Sequence, residues 1–322
     1  VISIFVHRNG VTEPAQRVEP AWLDAASGVT VWVDLSAPTP DEFKLLDDPF
    51  HFHALAIEDS IAEVPQPKIE PYNGYLYIIL HGIDFEASHH QFATHDTDFF
   101  LGPNYLVTVH DGKTRTIGQM HGVCARNSHV LAEGPVALMH RIVDSMVDHY
   151  RPEVDKLESK LDSLEEAVFD KPRKKLAREI LSLKRDITSL RRVVQPQRDV
   201  VGRLARREFQ FINDEMTYRF RDVYDHLVRQ SDEALIFQDR VTGILDAHLS
   251  SMSNRLNEQM KVLTLVTTIA IPFTVFGGLF GMNVHLPGIS GDQDPRPFWW
   301  ILACASALLL LIVAILRRQK LL

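Results

Sequence analysis

Cysteine is nearly absent: Cys124 and Cys304 are the only two in 322 residues. That is too few for a disulfide framework, and both read as free thiols. There is no excess of basic charge either, with 34 Lys and Arg against 42 Asp and Glu and a formal net charge of −8. Residues 1–130 hold 7 basic and 17 acidic groups, and residues 131–260 hold 22 and 23. This balance excludes a nucleic-acid-binding face, which needs concentrated positive charge. An acidic first third suits a surface that attracts cations, or one that its acids merely keep soluble. The chain also lacks a Walker phosphate loop, a dinucleotide glycine fingerprint, a nucleophile elbow and a metalloprotease helix signature, so it is read as not an enzyme, with no cofactor.

No membrane-length apolar run occurs before Val262. Two follow it: Val262–Phe280 and Phe298–Leu316 each run nineteen residues without a charge. A helix of that length crosses a hydrocarbon core of roughly 30 Å. Neither lies at the N-terminus, so neither is a signal peptide. Lys261 precedes the first run and Arg317, Arg318 and Lys320 follow the second, whereas the connection 281–297 carries only Asp292, Asp294 and Arg296. The positive-inside rule then predicts both termini in the cytoplasm and a multi-pass protein of a bacterial or archaeal inner membrane, with Trp299 and Trp300 at the outer interface.

Residues 1–134 have the pattern of an α/β domain. Val1–His7, Val29–Leu35, Tyr75–Ile83, Thr94–Leu101 and Tyr105–His110 are rich in β-branched and aromatic residues and bounded by turn formers, which predicts strands. Thr39, Pro40 and Glu42 spell a capping box at a helix start, and 52–62 is helix-like. Residues 135–213 predict long antiparallel helices. Val154, Leu157, Leu161, Leu164 and Val168 recur at spacings of three and four, as do Leu176, Ile180, Leu183, Ile187, Leu190 and Val194. These are coiled-coil seams, and Pro196 is expected to end the second helix. From Asp214 to Ile271 there is no proline and only Gly243, which predicts one stalk helix of roughly 87 Å that continues into the first span.

Three stretches resemble the CorA family of divalent-cation channels: 218–226 (Tyr-Arg-Phe-Arg-Asp-Val-Tyr-Asp-His), 245–264, and Phe280-Gly281-Met282-Asn283. Ile57-Glu58-Asp59, Pro67-Lys68-Ile69-Glu70 and Tyr75-Leu76-Tyr77-Ile78 extend the likeness into the α/β domain. The resemblance implies a funnel-shaped homopentamer in a lipid bilayer whose stalk helices, 214–280, line one pore. Residues 281–297 then form the external loop, 298–316 the second transmembrane helix and 317–322 a basic cytoplasmic tail. It also implies transport of divalent cations, magnesium foremost and cobalt or nickel besides, gated by intracellular magnesium. Gly281, Met282 and Asn283 would be the selectivity filter. Five Asn283 amides would offer neutral oxygens to a hydrated ion, since magnesium sheds water reluctantly. As a bare tripeptide the same residues read as a helix C-cap.

Asn257, Met260, Thr264, Thr267, Ile271, Thr274 and Gly278 recur every three or four residues and fall on one stripe. They line the pore, or their threonines bond their own backbone in an ordinary packed span. Glu58, Asp59 and Asp222, with Asp144 or Asp148 as a weaker fourth, match the family's regulatory carboxylates or are solvated surface charge. The loop Val284-His285-Leu286-Pro287 departs from the magnesium branch and resembles the broader family, including its zinc-transporting ZntB relatives. A zinc transporter, proton-coupled or not and with His285 at the pore mouth favouring a softer cation, therefore stays beside the magnesium channel, with a membrane-anchored sensor or enzyme further off. His51-Phe52-His53 and His89-His90 read as surface or core histidines, because no cysteine accompanies them.

Overall fold

The structure is a computed structural model that describes residues 1–62, 66–84, 93–169, 175–281 and 296–318. The chain divides into two compact units, Val1–Leu245 and Asp246–Leu322.

The first unit is built on one seven-stranded sheet. Its strands are β1 (Ile2–Arg8), β2 (Val11–Ala15), β3 (Thr30–Ser36), β4 (Lys68–Tyr72), β5 (Tyr75–Asp84), β6 (Ala93–Leu101) and β7 (Tyr105–His110), in the order β2-β1-β3-β7-β6-β5-β4. Only β3 and β7 pair in parallel; the other pairs are antiparallel. The five strands expected from β-branched and aromatic content between turn formers are present within a residue or two. The two that sequence reading did not find, β2 and β4, are the two edges of the sheet. Each contains a proline, Pro14 opposite Phe5 and Pro71 opposite Leu76. Proline lacks the N–H that a central strand must donate, so it is confined to edges, and its presence masks the strand pattern.

One face of the sheet packs Val31, Val33, Leu35, Tyr77, Ile79, Phe100, Val107 and Val109 with Leu46 of α1 (Lys44–Asp47) and Ala56 of α2 (Ala54–Ile61). The capping box forms ahead of α1, with Glu42 Oε2 accepting from the Thr39 N–H at 2.7 Å and the Glu42 N–H reaching Thr39 Oγ1 at 3.4 Å. The other face is covered by α3 (Arg115–Arg126), α4 (His129–Ala132) and α5 (Pro135–Asp148), which touch β2, β3 and β6–β7. With both faces covered, every residue of β7 is buried.

That second face encloses a charge. Asp34 of β3 is 1 % exposed, and its register partner on β7 is Thr108. The indole N–H of Trp32 donates to Thr108 Oγ1 at 3.1 Å, and Thr108 in turn donates to Asp34. His110 Nε2 and His121 Nε2 lie 3.3 and 3.0 Å from the carboxylate. Burial pushes the Asp34 carboxyl upward, but the bonds from His110, His121 and Thr108 outweigh it and hold it at about 2.

Beyond the sheet, α6 (Tyr150–Phe169) and α7 (Leu176–Leu204) bury every seam residue read from the sequence, from Val154 to Val168 and from Leu176 to Val194. Pro196 does not end α7, which continues to Leu204 with the proline inside it. The lost backbone bond is outweighed because Val193, Val194, Gln197, Val200 and Val201 are buried around it. Gln197 Oε1 also accepts from the His81 N–H at 3.0 Å, tying α7 to β5.

The helix α8 runs from Asp214 to Phe280. Within the first unit it buries Phe220, Val223, Leu227, Ala234, Phe237, Val241 and Ile244 at coiled-coil spacing. Its apolar window in the second unit has no buried residue, and among the described residues α8 is the one helix long and apolar enough to cross a membrane. The second apolar segment belongs to α9 (Arg296–Arg318), with a shorter apolar stretch described over Leu302–Ile315.

Removing the buried charge tests its role. Asp34→Ala leaves His110, His121 and Thr108 without their acceptor and is expected to cost about 3–5 kcal/mol of stability, read by denaturant unfolding. Since the folded carboxyl titrates below the 3.8 of an ordinary Asp, wild-type stability should fall as pH drops through that window, and the variant should lose this dependence.

Candidate functional site

All seven residues of the stripe lie on α8, and all seven are exposed in the single chain. At about 100° per residue they fall within an arc of about 100°. Exposure does not single them out, because Val262, Leu263, Val266, Phe273 and Val275 on the rest of the helix are exposed too. Thr267 Oγ1 donates to Leu263 O at 2.9 Å and Thr274 Oγ1 to Ala270 O at 3.0 Å. Both hydroxyls therefore satisfy their protons on their own backbone. Each oxygen keeps acceptor capacity, so a row of such threonines presents lone pairs, not donors.

Gly281 follows the helix, and its N–H donates to Gly277 O at 2.9 Å. A Cβ built on Gly281 would stand 2.9 Å from that same carbonyl oxygen, so any larger residue must displace the helix end. The requirement for glycine is thus close approach; the left-handed backbone common at helix ends is not used, since Gly281 is not among the positive-φ glycines. Met282, Asn283 and His285 lie outside the described residues, as do His89 and His90.

The carboxylates occupy two places in the first unit. Glu58 and Asp59 sit on α2, where Asp59 Oδ2 accepts from Lys68 Nζ at 2.5 Å and Lys68 also reaches Glu70 at 3.2 Å. Partial burial disfavours the Lys68 ammonium, but the two carboxylates outweigh it and raise its pKa. The two sequence motifs 57–59 and 67–70 therefore meet through one ion-paired lysine. Asp144 on α5 and Asp222 on α8 form the second place. Partial burial, then the nearby Asp148 and Asp222, push the Asp144 carboxyl upward, while His140 and His226 oppose. Asp222 is largely exposed, with His226 Nε2 at 4.0 Å. Among the described residues no three metal-ligating side chains converge within the single chain.

Sequence reading missed a polar cavity of about 710 Å³ between the sheet, the end of α2 and α7, lined by His81, His95, Asp96, Asp98, Asp111 and Arg192. His81 Nδ1 stands 3.2 Å from Asp96, and His95 Nδ1 2.6 Å from Asp111. Asp98 accepts a hydrogen bond from Tyr77 at 2.7 Å, and burial above all pushes its carboxyl up to about 7. Thr94, Asp96 and Asp98 fall on one face of β6, and this polar run in an inner strand was the available signal. His53, weighed only as half of a His-x-His pair, accepts from the Leu55 N–H at 3.2 Å and caps α2.

The profile of the CorA-like Mg2+ transporter protein family matches residues 27–318. The chain belongs to the CorA family. YfjQ of Bacillus subtilis (strain 168) is 34 % identical to this CorA-family chain over 273 residues, covering 84 % of it and 82 % of YfjQ. The cobalt/magnesium transport protein CorA of Thermotoga maritima is 28 % identical over 301 residues, covering 91 % and 84 %. The zinc transport protein ZntB of Yersinia pseudotuberculosis is 26 % identical over 308 residues, covering 92 % and 90 %. The CorA magnesium transporter structure from Methanocaldococcus jannaschii superposes with a TM-score of 0.81 at 23 % identity, over 99 % of this chain and 98 % of that one. At that identity the superposition establishes the fold.

Asp98 gives a pH dependence opposite in sign to that of Asp34. Its folded pKa of about 7 lies above the ordinary 3.8, so its contribution is complete below the ordinary value and is lost as pH rises toward 7. Asp98→Asn keeps an acceptor for Tyr77 and removes the titration. The variant should melt higher than wild type above pH 7 and show a flatter melting profile between pH 4 and 7.

Proposed function

We propose that this chain carries divalent metal ions, magnesium foremost, across a cytoplasmic membrane. It acts as a homopentamer with two spans per subunit, α8 lining the pore and both termini inside. The observation that carries the reading is the end of α8, where an uncovered apolar helix with a hydroxyl-bearing stripe closes on Gly281, the first residue of the Gly-Met-Asn triplet. Membership of the family and its similarity to the cobalt/magnesium transport protein of Thermotoga maritima support the same reading.

In this mechanism the Asn283 amides hold the hydrated ion from outside its water shell, which suits an ion that dehydrates reluctantly. The threonine oxygens of the stripe accept from the water shell as the ion descends. Intracellular magnesium gates the channel between subunits at Glu58, Asp59, Asp144 and Asp222. Carboxylates brought together across an interface repel, a divalent ion stabilises the closed arrangement, and its loss frees the subunits to move. Lys68 is part of this switch, because its ammonium competes with the ion for Asp59. The similarity to ZntB favours one other reading, zinc transport on the same scaffold with His285 as a softer ligand.

Reconstitution into liposomes, with a magnesium-sensitive dye in one preparation and a zinc-sensitive dye in another, separates these readings. Magnesium flux blocked by external cobalt hexammine is expected. Zinc flux without magnesium flux, lost on His285→Ala, overturns the magnesium reading. Asn283→Ala and Gly281→Ala should each abolish flux from a pentamer that still purifies.

The switch is read by protease protection of the first unit. Asp59→Asn with Asp222→Asn should make protection less dependent on magnesium. Lys68→Met, which removes the competing cation, should move protection to lower magnesium concentration. An unchanged magnesium dependence in both variants reduces the three residues to surface charge.

A further inference from the structure

The polar cavity of about 710 Å³ between the sheet, the end of α2 and α7 has no part in the proposed transport, and all of its described lining belongs to the first unit. Its volume is that of a small-molecule site. On its floor Asp96 and Asp98 share one face of β6, about 6.7 Å apart along the strand. Across the sheet Asp98 is flanked by Ile79 of β5 and Val109 of β7, both buried. The residue is 6 % exposed and has a single hydrogen bond, donated by Tyr77 to Oδ1. Among the described residues no donor reaches Oδ2, and this oxygen is not sealed from the cavity as both ring nitrogens of His81 are.

A carboxylate this deep, with one donor and the like charge of Asp96 beside it, is costly unless something completes its shell. Lys68 acts on it from a distance but is engaged by Asp59 and Glu70. The missing partner is therefore a cationic donor. A metal ion fits poorly, because among the described residues no three ligating side chains converge, and Phe43, Ile61, Val109 and Val193 make part of the wall apolar. An ammonium on a short hydrocarbon chain suits both halves of the cavity, with N–H donors for Asp98 Oδ2 and methylenes for the apolar wall. Arg192 lines the α7 side. It disfavours a second ammonium on the ligand and favours a carboxylate.

We propose that this cavity binds a small aliphatic primary amine, its ammonium donating to Asp98 Oδ2. Arg192 favours an ω-amino acid over a diamine as the source of that ammonium. The site does not depend on which ion is carried. Because burial holds a proton on Asp98 up to about 7 and an ammonium stabilises only the carboxylate, binding expels that proton. Affinity should rise with pH toward 7 and level off above it, the ligand's ammonium staying charged throughout. The charged and titratable groups around Asp98 are Asp96 on β6, Tyr77 and His81 on β5, Lys68 on β4, Asp59 on α2 and Arg192 on α7, with His95, His110 and Asp111 on the same wall. Asp98→Asn separates its proton from theirs.

Calorimetric titration of the full-length protein in detergent at about pH 6.5, in two buffers of different ionisation enthalpy, tests the site with 4-aminobutyrate, putrescine and butylamine. Saturable binding with release of a proton is expected, strongest for 4-aminobutyrate. Asp98→Asn should weaken binding about tenfold or more and remove the proton release. Ser189→Trp, which fills the cavity from an exposed position on α7, should abolish binding at an unchanged melting temperature. Arg192→Met should remove the preference for 4-aminobutyrate over putrescine. No saturable binding of any of the three to the wild-type protein overturns the proposal, as does binding that Asp98→Asn leaves unchanged. Equal proton release by magnesium chloride at matched ionic strength makes this a site for hydrated ions and overturns it too. Putrescine binding ahead of 4-aminobutyrate overturns the part assigned to Arg192.

Discussion

A helix that enters hydrocarbon must satisfy its backbone from within, because no water is there to do so. That constraint shapes α8 more than any single contact. In the first unit the helix is held by side chains, with Phe220 to Ile244 buried at coiled-coil spacing and Arg240 bound to both Asp162 and Glu165 at 2.6 and 2.9 Å. In its apolar window in the second unit no residue is buried in the single chain. There the hydrogen-bond ladder and the threonine hydroxyls that bond back to it are the local stabilisers. Pro272 is tolerated in this stretch, although it withdraws one N–H from the ladder; hydroxyl-rich surroundings are where membrane helices accept proline. The ladder closes on Gly281, whose approach to Gly277 leaves no room for a side chain.

What was legible in the sequence follows from periodicity. The seams of α6 and α7 were read residue by residue because the sequence spacing of three and four maps directly onto one helix face. The inner strands were read because β-branched and aromatic residues fill a surface that is covered on both sides. Proline defeated the reading twice, in opposite ways. Pro14 and Pro71 hid β2 and β4, which tolerate proline because each has an edge without a partner. Pro196 suggested a helix end that tertiary packing overrides. The stripe and the triplet are candidates encoded in order along the chain; the structure puts the seven stripe residues on one arc of α8 and describes Gly281 of the triplet. The polar cavity of His81 and Asp98 and the Asp34 network were not legible, since their members come from strands and helices distant in sequence, and a lone buried histidine leaves no mark on the pattern.

Three carboxylates in one unit illustrate how environment sets the role. Asp34 is buried but surrounded by donors, so it stays charged and its titration falls. Asp98 is buried with one donor, Tyr77, and its titration rises. Asp59 is only partly buried and shares a lysine with Glu70. Of the three, Asp59 is the one exposed enough for the exchange of counter-ion that the proposed gating requires, in which a divalent ion in place of the ammonium strengthens the attraction. A buried charge such as Asp34 has no such freedom, because its partners are fixed by strand register.

The chemistry of the stripe bears on the ion. Thr264, Thr267, Thr274 and Asn257 contribute hydroxyl and amide oxygens, and neither thiolate nor imidazole occurs among the seven positions. Neutral hard oxygens suit small hydrated cations, whereas zinc is drawn to imidazole and sulfur. Met260 is the one soft atom, a weak thioether ligand well removed along the helix from the triplet. In the proposed pore, selectivity by such a lining arises through the water shell: an oxygen row accepts hydrogen bonds from bound water, and the better an ion orients its shell the better the row holds it. A strongly hydrated divalent ion gains most from that arrangement, which is the physical reason for placing magnesium ahead of zinc on a scaffold that both branches of the family share.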